Sequence, residues 1–154
     1  MKKIALFPGT FDPFTIGHLS LIERGLELVD EIVIAIGTNP NKKTFYSMEQ
    51  RLETISELFR DNPRIAVEAY DGLTVDFAQK KGARFILRGI RSVNDFEYEK
   101  NIADVNRQLS GIETFVLFTE PKHTHISSSI VRELLSYGKE VSDFVPTHIV
   151  KNEE

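Results

Sequence analysis

The run Glu31-Ile-Val-Ile-Ala-Ile36 is apolar at every position after its first. In an extended strand successive side chains point to opposite faces, so five apolar residues in a row bury both faces of a sheet. Both faces then need a cover, and the usual cover is helices that cross over between parallel strands. The rest of the chain supplies them, because short apolar runs alternate with amphipathic stretches from end to end. Strands are predicted at Ile4–Phe7, Glu31–Ile36, Arg64–Tyr70, Phe85–Leu87 and Glu113–Thr119. Leu19, Ile22 and Leu26 recur at helical spacing after the first strand. After the second, Ser47-Met-Glu-Gln50 is a capping-box pattern, Leu52, Ile55, Leu58 and Phe59 form an apolar stripe, and Asn62-Pro63 stops the helix. A helix over 74–81 ends at Gly82, another spans 94–109, and Ser127 is placed to cap a helix over 128–137 with Gly138 beyond it. The expected architecture is α/β, a doubly wound parallel sheet of five strands in one domain covering 1–154. The segment after Val141, with Phe144-Val-Pro146 and a short polar end, carries no assignment, and no repeat or linker is visible.

A chain of 154 residues is long enough to bury roughly 70% of its unfolded surface in one core. Its 41% hydrophobic and 27% charged content is ordinary for a soluble globular protein. No apolar run approaches the ~20 residues of a membrane span. The start, Met1-Lys-Lys-Ile-Ala-Leu-Phe-Pro8, is too short in apolar residues for a signal peptide and is needed as the first strand. Without cysteine there is neither a disulfide framework nor a zinc–thiolate site. These features favour the cytoplasm. A net charge of −4 argues against a protein that coats nucleic acid. Against that acidic average, Lys42, Lys43, Arg88 and Arg91 fall in predicted loops just after strands, which suits a small anionic ligand.

The segment Gly9-Thr-Phe-Asp-Pro-Phe-Thr-Ile-Gly-His18 joins the first strand to the first helix. Free N–H groups and the positive end of the helix dipole favour an anion there, and His18, in the first helical turn, can donate to a phosphoryl oxygen. Neither a Walker A loop nor a GxGxxG fingerprint is present. Asn39-Pro-Asn-Lys-Lys43 follows the second strand, Arg88-Gly-Ile-Arg91 the fourth, and His123-Thr-His-Ile-Ser-Ser-Ser129 the fifth. Four polar signatures therefore converge at the carboxyl ends of the strands, where open α/β sheets bind ligands.

The stretch GTFDPxTxGH resembles the (H/T)xGH signature of the nucleotidyltransferases. Together with Asn41-Lys-Lys43, Arg88–Arg91, Asp95-Phe-Glu-Tyr-Glu99 and Ile126-Ser-Ser-Ser129 in that order, the chain resembles the bacterial phosphopantetheine adenylyltransferases from about Lys3 to about Pro146. TxGH alone marks only the superfamily; the ordered set is specific. The resemblance implies a Rossmann-like fold and transfer of the adenylyl group of ATP to 4′-phosphopantetheine, giving dephospho-coenzyme A and pyrophosphate without a covalent enzyme intermediate. It also implies a homohexamer and inhibition by coenzyme A. By resemblance His18 contacts the α-phosphate and stabilises the transition state, while Thr10, Lys42 and Arg88 hold the acceptor phosphate. Gly89, Ile90, Arg91 and Glu99 belong to the ATP site, with His123-Thr124-His125-Ile126 and Ser127-Ser128-Ser129. Phe11 covers the nucleotide or the pantetheine arm, with core packing as the alternative. Thr15 stands where many superfamily members carry the first His. Thr74 replaces the family's usual Leu or Met beside the pantetheine arm, which keeps a backbone contact and leaves the side-chain contact open.

Plainer readings stand beside these. Lys43 is read as solvated, and Asp95 and Glu97 are explained by the dipole at a helix start. Asp12 precedes a proline and serves a turn. Arg88 and Arg91 could form surface ion pairs, yet an Arg leaving a buried strand beside a glycine is well placed to clamp a phosphate. One serine of three suffices as an N-cap; three hydroxyls with free N–H groups make a cradle for the β- and γ-phosphates. His123 and His125 lack a third partner and are read as nucleotide contacts, not as metal ligands. Magnesium is expected on the triphosphate, held by phosphate oxygens and water. Two rivals remain: a transferase using nicotinamide mononucleotide or a cytidine nucleotide, and a non-catalytic nucleotide-binding regulatory module.

Overall fold

In the computed structural model, which describes residues 1–150, β2 (Glu31–Gly37) is buried on both faces, each in a different core. Ile32, Ile34 and Ile36 pack with Ala5, Phe7 and Leu87 on one face, beneath Ile22 of α1 (Ile16–Gly25), Ile55 of α2 (Met48–Leu58) and Val131 of α5 (Ser128–Ser136). Val33 and Ala35 pack on the other with Leu6 and Ile86, against Val75 and Ala78 of α3 (Thr74–Lys80). This two-residue alternation is the doubly wound arrangement anticipated from the sequence. The remaining elements are β1 (Ile4–Gly9), β3 (Ile65–Tyr70), β4 (Phe85–Ile90), α4 (Val93–Ser110) and β5 (Glu113–Phe118), with a 3-10 turn at Pro121–His123. All strand pairs are parallel, in the order β3-β2-β1-β4-β5. The order reverses between β1 and β4, and a crevice at the carboxyl ends follows from that topology.

Three departures from the sequence reading bear on the site. First, β4 continues past Leu87, pairing Arg88, Gly89 and Ile90 with Val116, Leu117 and Phe118. Arg88 therefore lies inside a strand rather than in a loop, because pairing with β5 outweighs the weak strand preference of an Arg-Gly step. Glycine suits that position, since a Cβ would press on the Leu21 side chain of α1. Second, α4 starts at Val93, with the Ser92 hydroxyl accepting the Asp95 N–H at 3.1 Å. Third, the segment after Val141 is part of the core: Val141, Val145 and Ile149 are buried, and the Phe144 carbonyl accepts the Ile16 N–H at 3.0 Å. Its polar end, 151–154, lies outside the described residues.

Candidate active site

The TxGH motif is a capping box in which histidine takes the place of the usual Glu or Gln. The Thr15 hydroxyl accepts the His18 N–H at 3.4 Å, and the Thr15 N–H donates to Nδ1 of His18 at 2.9 Å. A backbone N–H can only donate, so Nδ1 is unprotonated and the neutral ring carries its proton on Nε2. The rings of Phe11, Phe14 and Phe7 lie 5.0, 5.2 and 6.3 Å from the imidazole. Burial pushes the His18 pKa down to about 3, with the charges of Arg88 and then Arg91 acting in the same direction. His18 is thus a neutral hydrogen-bond donor across the physiological range. The helix start itself is less open than the sequence implied, since the Ile16 N–H meets the Phe144 carbonyl and the His18 N–H meets Thr15.

The turn before this helix is clamped from three directions. The buried Asp12 carboxylate accepts the N–H groups of Phe45 and Tyr46 at 2.7 and 2.8 Å. Arg51, 5% exposed, donates from Nη1 to the Thr10 carbonyl at 2.7 Å and from Nε to the Tyr46 carbonyl at 3.2 Å. Arg132 donates to the Asp12 carbonyl and Ser128 to the Pro13 carbonyl, both at 2.8 Å. Asp12 does far more than turn the chain, and Arg51 and Arg132 went unread. The signal for Arg51 was its position one turn before Ile55 on the buried stripe. The Phe11 ring is 3% exposed, and a Cβ on Gly9 would meet it at 2.9 Å. That side chain packs in the core, the alternative reading of Phe11.

Thr10, Lys42, Thr74 and Arg88, drawn from four separate segments, line one cavity of about 340 Å³. Lys42 and Lys43 are both exposed, and Lys42 Nζ lies 3.4 Å from the Thr10 hydroxyl. Thr74 opens α3, its hydroxyl 2.9 Å from that of Tyr70, whose ring stacks on Phe77 at 5.0 Å. Arg88 is held by Glu99 of α4 through Nε at 2.9 Å and Nη2 at 2.7 Å, and by the Pro8 carbonyl through Nη1 at 2.6 Å. Glu99, which the resemblance assigned to the nucleotide, thus lines the cavity of the acceptor residues. Tyr70, Tyr98 and Asn106 also line it, and the sequence reading does not pick them out.

The residues that the resemblance assigns to the nucleotide have more scattered partners. Arg91, exposed just past β4, reaches the Ile126 carbonyl at 3.3 Å and Asp95 at 3.6 Å. Gly89 and Ile90 lie in β4, and the Ile90 side chain is buried. Ser127 caps α5 by accepting the Ile130 N–H at 3.2 Å, Ser128 ties to Pro13, and Ser129 accepts from Arg132 at 3.2 Å. The serines thus have distinct partners instead of standing as three open hydroxyls. His123 ends the 3-10 turn with its Nδ1 buried and unpartnered, the Thr124 hydroxyl donates to the Glu120 carbonyl, and the His125 ring lies 6.2 Å from Phe144. Among the described residues no three His, Cys, Asp or Glu side chains gather as a metal cage.

A parallel sheet of this order, with a capped histidine at the first helix and cations along the carboxyl ends of its strands, defines a nucleotidyltransferase of the cytidylyltransferase-like class, whose family model matches residues 6–134. A protein of Phocaeicola vulgatus named phosphopantetheine adenylyltransferase is 63% identical over 92% of this chain and 94% of its own length. Proteins of the same name from Bacteroides thetaiotaomicron and Porphyromonas gingivalis are 62% and 52% identical, over 95% and 97% of this chain and 96% and 97% of theirs. The chain belongs to the phosphopantetheine adenylyltransferase family.

Proposed function

We propose that this protein transfers the adenylyl group of ATP to 4′-phosphopantetheine, releasing pyrophosphate and forming dephospho-coenzyme A, a step of coenzyme A biosynthesis. The observation that carries this reading is the convergence of Thr10, Lys42 and Arg88 on one cavity, with the Arg88 charge felt at His18 of the TxGH motif. The acceptor phosphate is already an anion, so its oxygen can attack the α-phosphorus without a strong general base. The obstacle is repulsion, about 4 kcal/mol for two unit charges 4 Å apart at an effective dielectric near 20. Lys42 and Arg88 offset it and Thr10 orients the phosphate, while His18 donates from Nε2 to the α-phosphate oxygens as charge develops there. Positioning and electrostatics therefore supply most of the catalysis. The 123–129 segment and Arg91 take the β- and γ-phosphates and the base. Magnesium enters as the complex of ATP, and we assign it no protein ligand.

Self-association fits the surface. Tyr98, Val105 and Leu109 of α4 and Val116 and Phe118 of the edge strand β5 are apolar and 40% to 76% exposed. Burying such a face is what a homohexamer would do. Coenzyme A contains the product plus one phosphate and would occupy both halves of the cleft as an inhibitor. No helix among the described residues is long and apolar enough to cross a membrane, in keeping with a cytoplasmic place of action.

The test is pyrophosphate release with magnesium and ATP as each acceptor is supplied in turn. Release that requires 4′-phosphopantetheine, with dephospho-coenzyme A seen by mass, is the expected result. Turnover only with nicotinamide mononucleotide, or only with CTP, would overturn the substrate, and ATP binding without any turnover would overturn the activity.

A further inference from the structure

The side chain of Arg88 is committed before any ligand arrives. Its guanidinium has five N–H donors. Two of them meet the Glu99 carboxylate in a bidentate pair and a third meets the Pro8 carbonyl. The remaining two, one on each Nη, are left for an oxyanion in the cavity. Glu99 is almost fully buried, at 7% exposure, while the Arg88 side chain keeps 30%. Both residues line the cavity, with the arginine the more open of the two. Both backbone and partner are fixed, since Arg88 sits in β4 and Glu99 is in the second turn of α4.

We propose that Glu99 is a positioning residue for the acceptor phosphate, acting through Arg88. This inference rests on the proposed acceptor. Fork-to-fork pairing sets the plane and roll of the guanidinium as a single contact could not. An arginine without that partner samples several rotamers, and each binding event must then order it. Glu99 also lowers the local positive charge, which on its own would weaken phosphate binding. Orientation and charge thus predict opposite signs when Glu99 is neutralised, and the experiment separates them.

Glu99→Gln keeps the volume, removes the charge and turns one acceptor oxygen into a donor that faces an arginine N–H. In the complete enzyme, the KM for 4′-phosphopantetheine is expected to rise about tenfold or more with kcat reduced, and the KM for ATP to stay within about twofold. Glu99→Asp, which keeps the charge but is too short for the bidentate reach, is expected to show the same split and stands in if the Gln variant fails to fold. Adding Glu99→Gln to an Arg88→Met background is expected to cost nothing further. A selective rise in the KM for ATP would overturn the inference, as would a fall in the acceptor KM or equal losses in both backgrounds. Absence of phosphopantetheine turnover by the unsubstituted enzyme would instead remove the acceptor reading, and the inference with it.

Discussion

The two sides of the cleft are built differently. Of the residues assigned to the acceptor, Arg88 is held by the scaffold, in an interior strand with a buried carboxylate behind it, whereas Lys42 is exposed on the segment after β2 with its Nζ 3.4 Å from the Thr10 hydroxyl. Of those assigned to the nucleotide, Gly89 and Ile90 share that strand, while the serines and residues 123–126 sit on a helix start and a connecting segment, and the exposed Arg91 meets Asp95 and the Ile126 carbonyl. The difference follows from what each side has to recognise. A phosphate attached to a long flexible arm offers one point of charge, so its receptor must be rigid before it arrives. A nucleotide triphosphate offers many contacts and can order looser groups as it binds. His18 stands between the two, oriented by its own helix cap.

Substitutions can break that contrast. The largest effect is expected from His18→Ala, which removes the donor aimed at the developing charge: kcat should fall by about 10²–10³, with the KM for ATP little changed, in steady-state assays. Equal losses in kcat and ATP affinity would mean that His18 binds substrate and transition state alike. Next comes Arg51→Ala, which strips the partly buried Thr10 and Tyr46 carbonyls of a donor. A loss of about 2–4 kcal/mol in denaturant unfolding is expected, with activity falling as the turn loosens. Lys42→Ala sharpens the comparison, since the acceptor KM should rise by about one order of magnitude and the ATP KM far less.

The pH response is smaller but has a definite sign. His18 has a pKa of about 3 when folded, against an ordinary 6.5, so the unfolded chain binds more protons between those values. Its contribution to stability is complete above pH 6.5 and is lost as pH falls toward 3. Melting temperatures from pH 7 to 5 should therefore decline more steeply for the natural protein than for His18→Gln, and parallel curves would contradict a ring held neutral in the folded protein. The smallest effect, about 1 kcal/mol in thermal unfolding, is expected for Ser127→Ala, which removes only a helix cap.

What the sequence made legible follows the physics of each signal. The two-sided burial of β2 was readable because five apolar residues in a row have one structural use. The cap at Ser47 and Gln50 was readable because it follows the standard pattern, and the structure has it. The equivalent cap at Thr15 and His18 was hidden, since histidine is not the residue that pattern asks for. The outer half of β4 was hidden too, because Arg88 and Gly89 carry no strand signature and are paired only through β5. Glu99 could not be placed from sequence beyond the family motif. Its partner is eleven residues away on another element, and only packing brings the two together. The segment after Val141 gave no periodicity, although Val141, Val145 and Ile149 all reach the core.

The central claim is direct adenylyl transfer between ATP and one phosphorylated acceptor, and isotope exchange tests it most directly. The enzyme would be incubated with ATP, magnesium and labelled pyrophosphate, with and without dephospho-coenzyme A. Direct transfer predicts label in ATP only when dephospho-coenzyme A is present, because pyrophosphate can re-enter ATP only by attack on that product. Exchange without it would reveal an adenylylated enzyme, and no exchange in its presence would contradict the assigned acceptor.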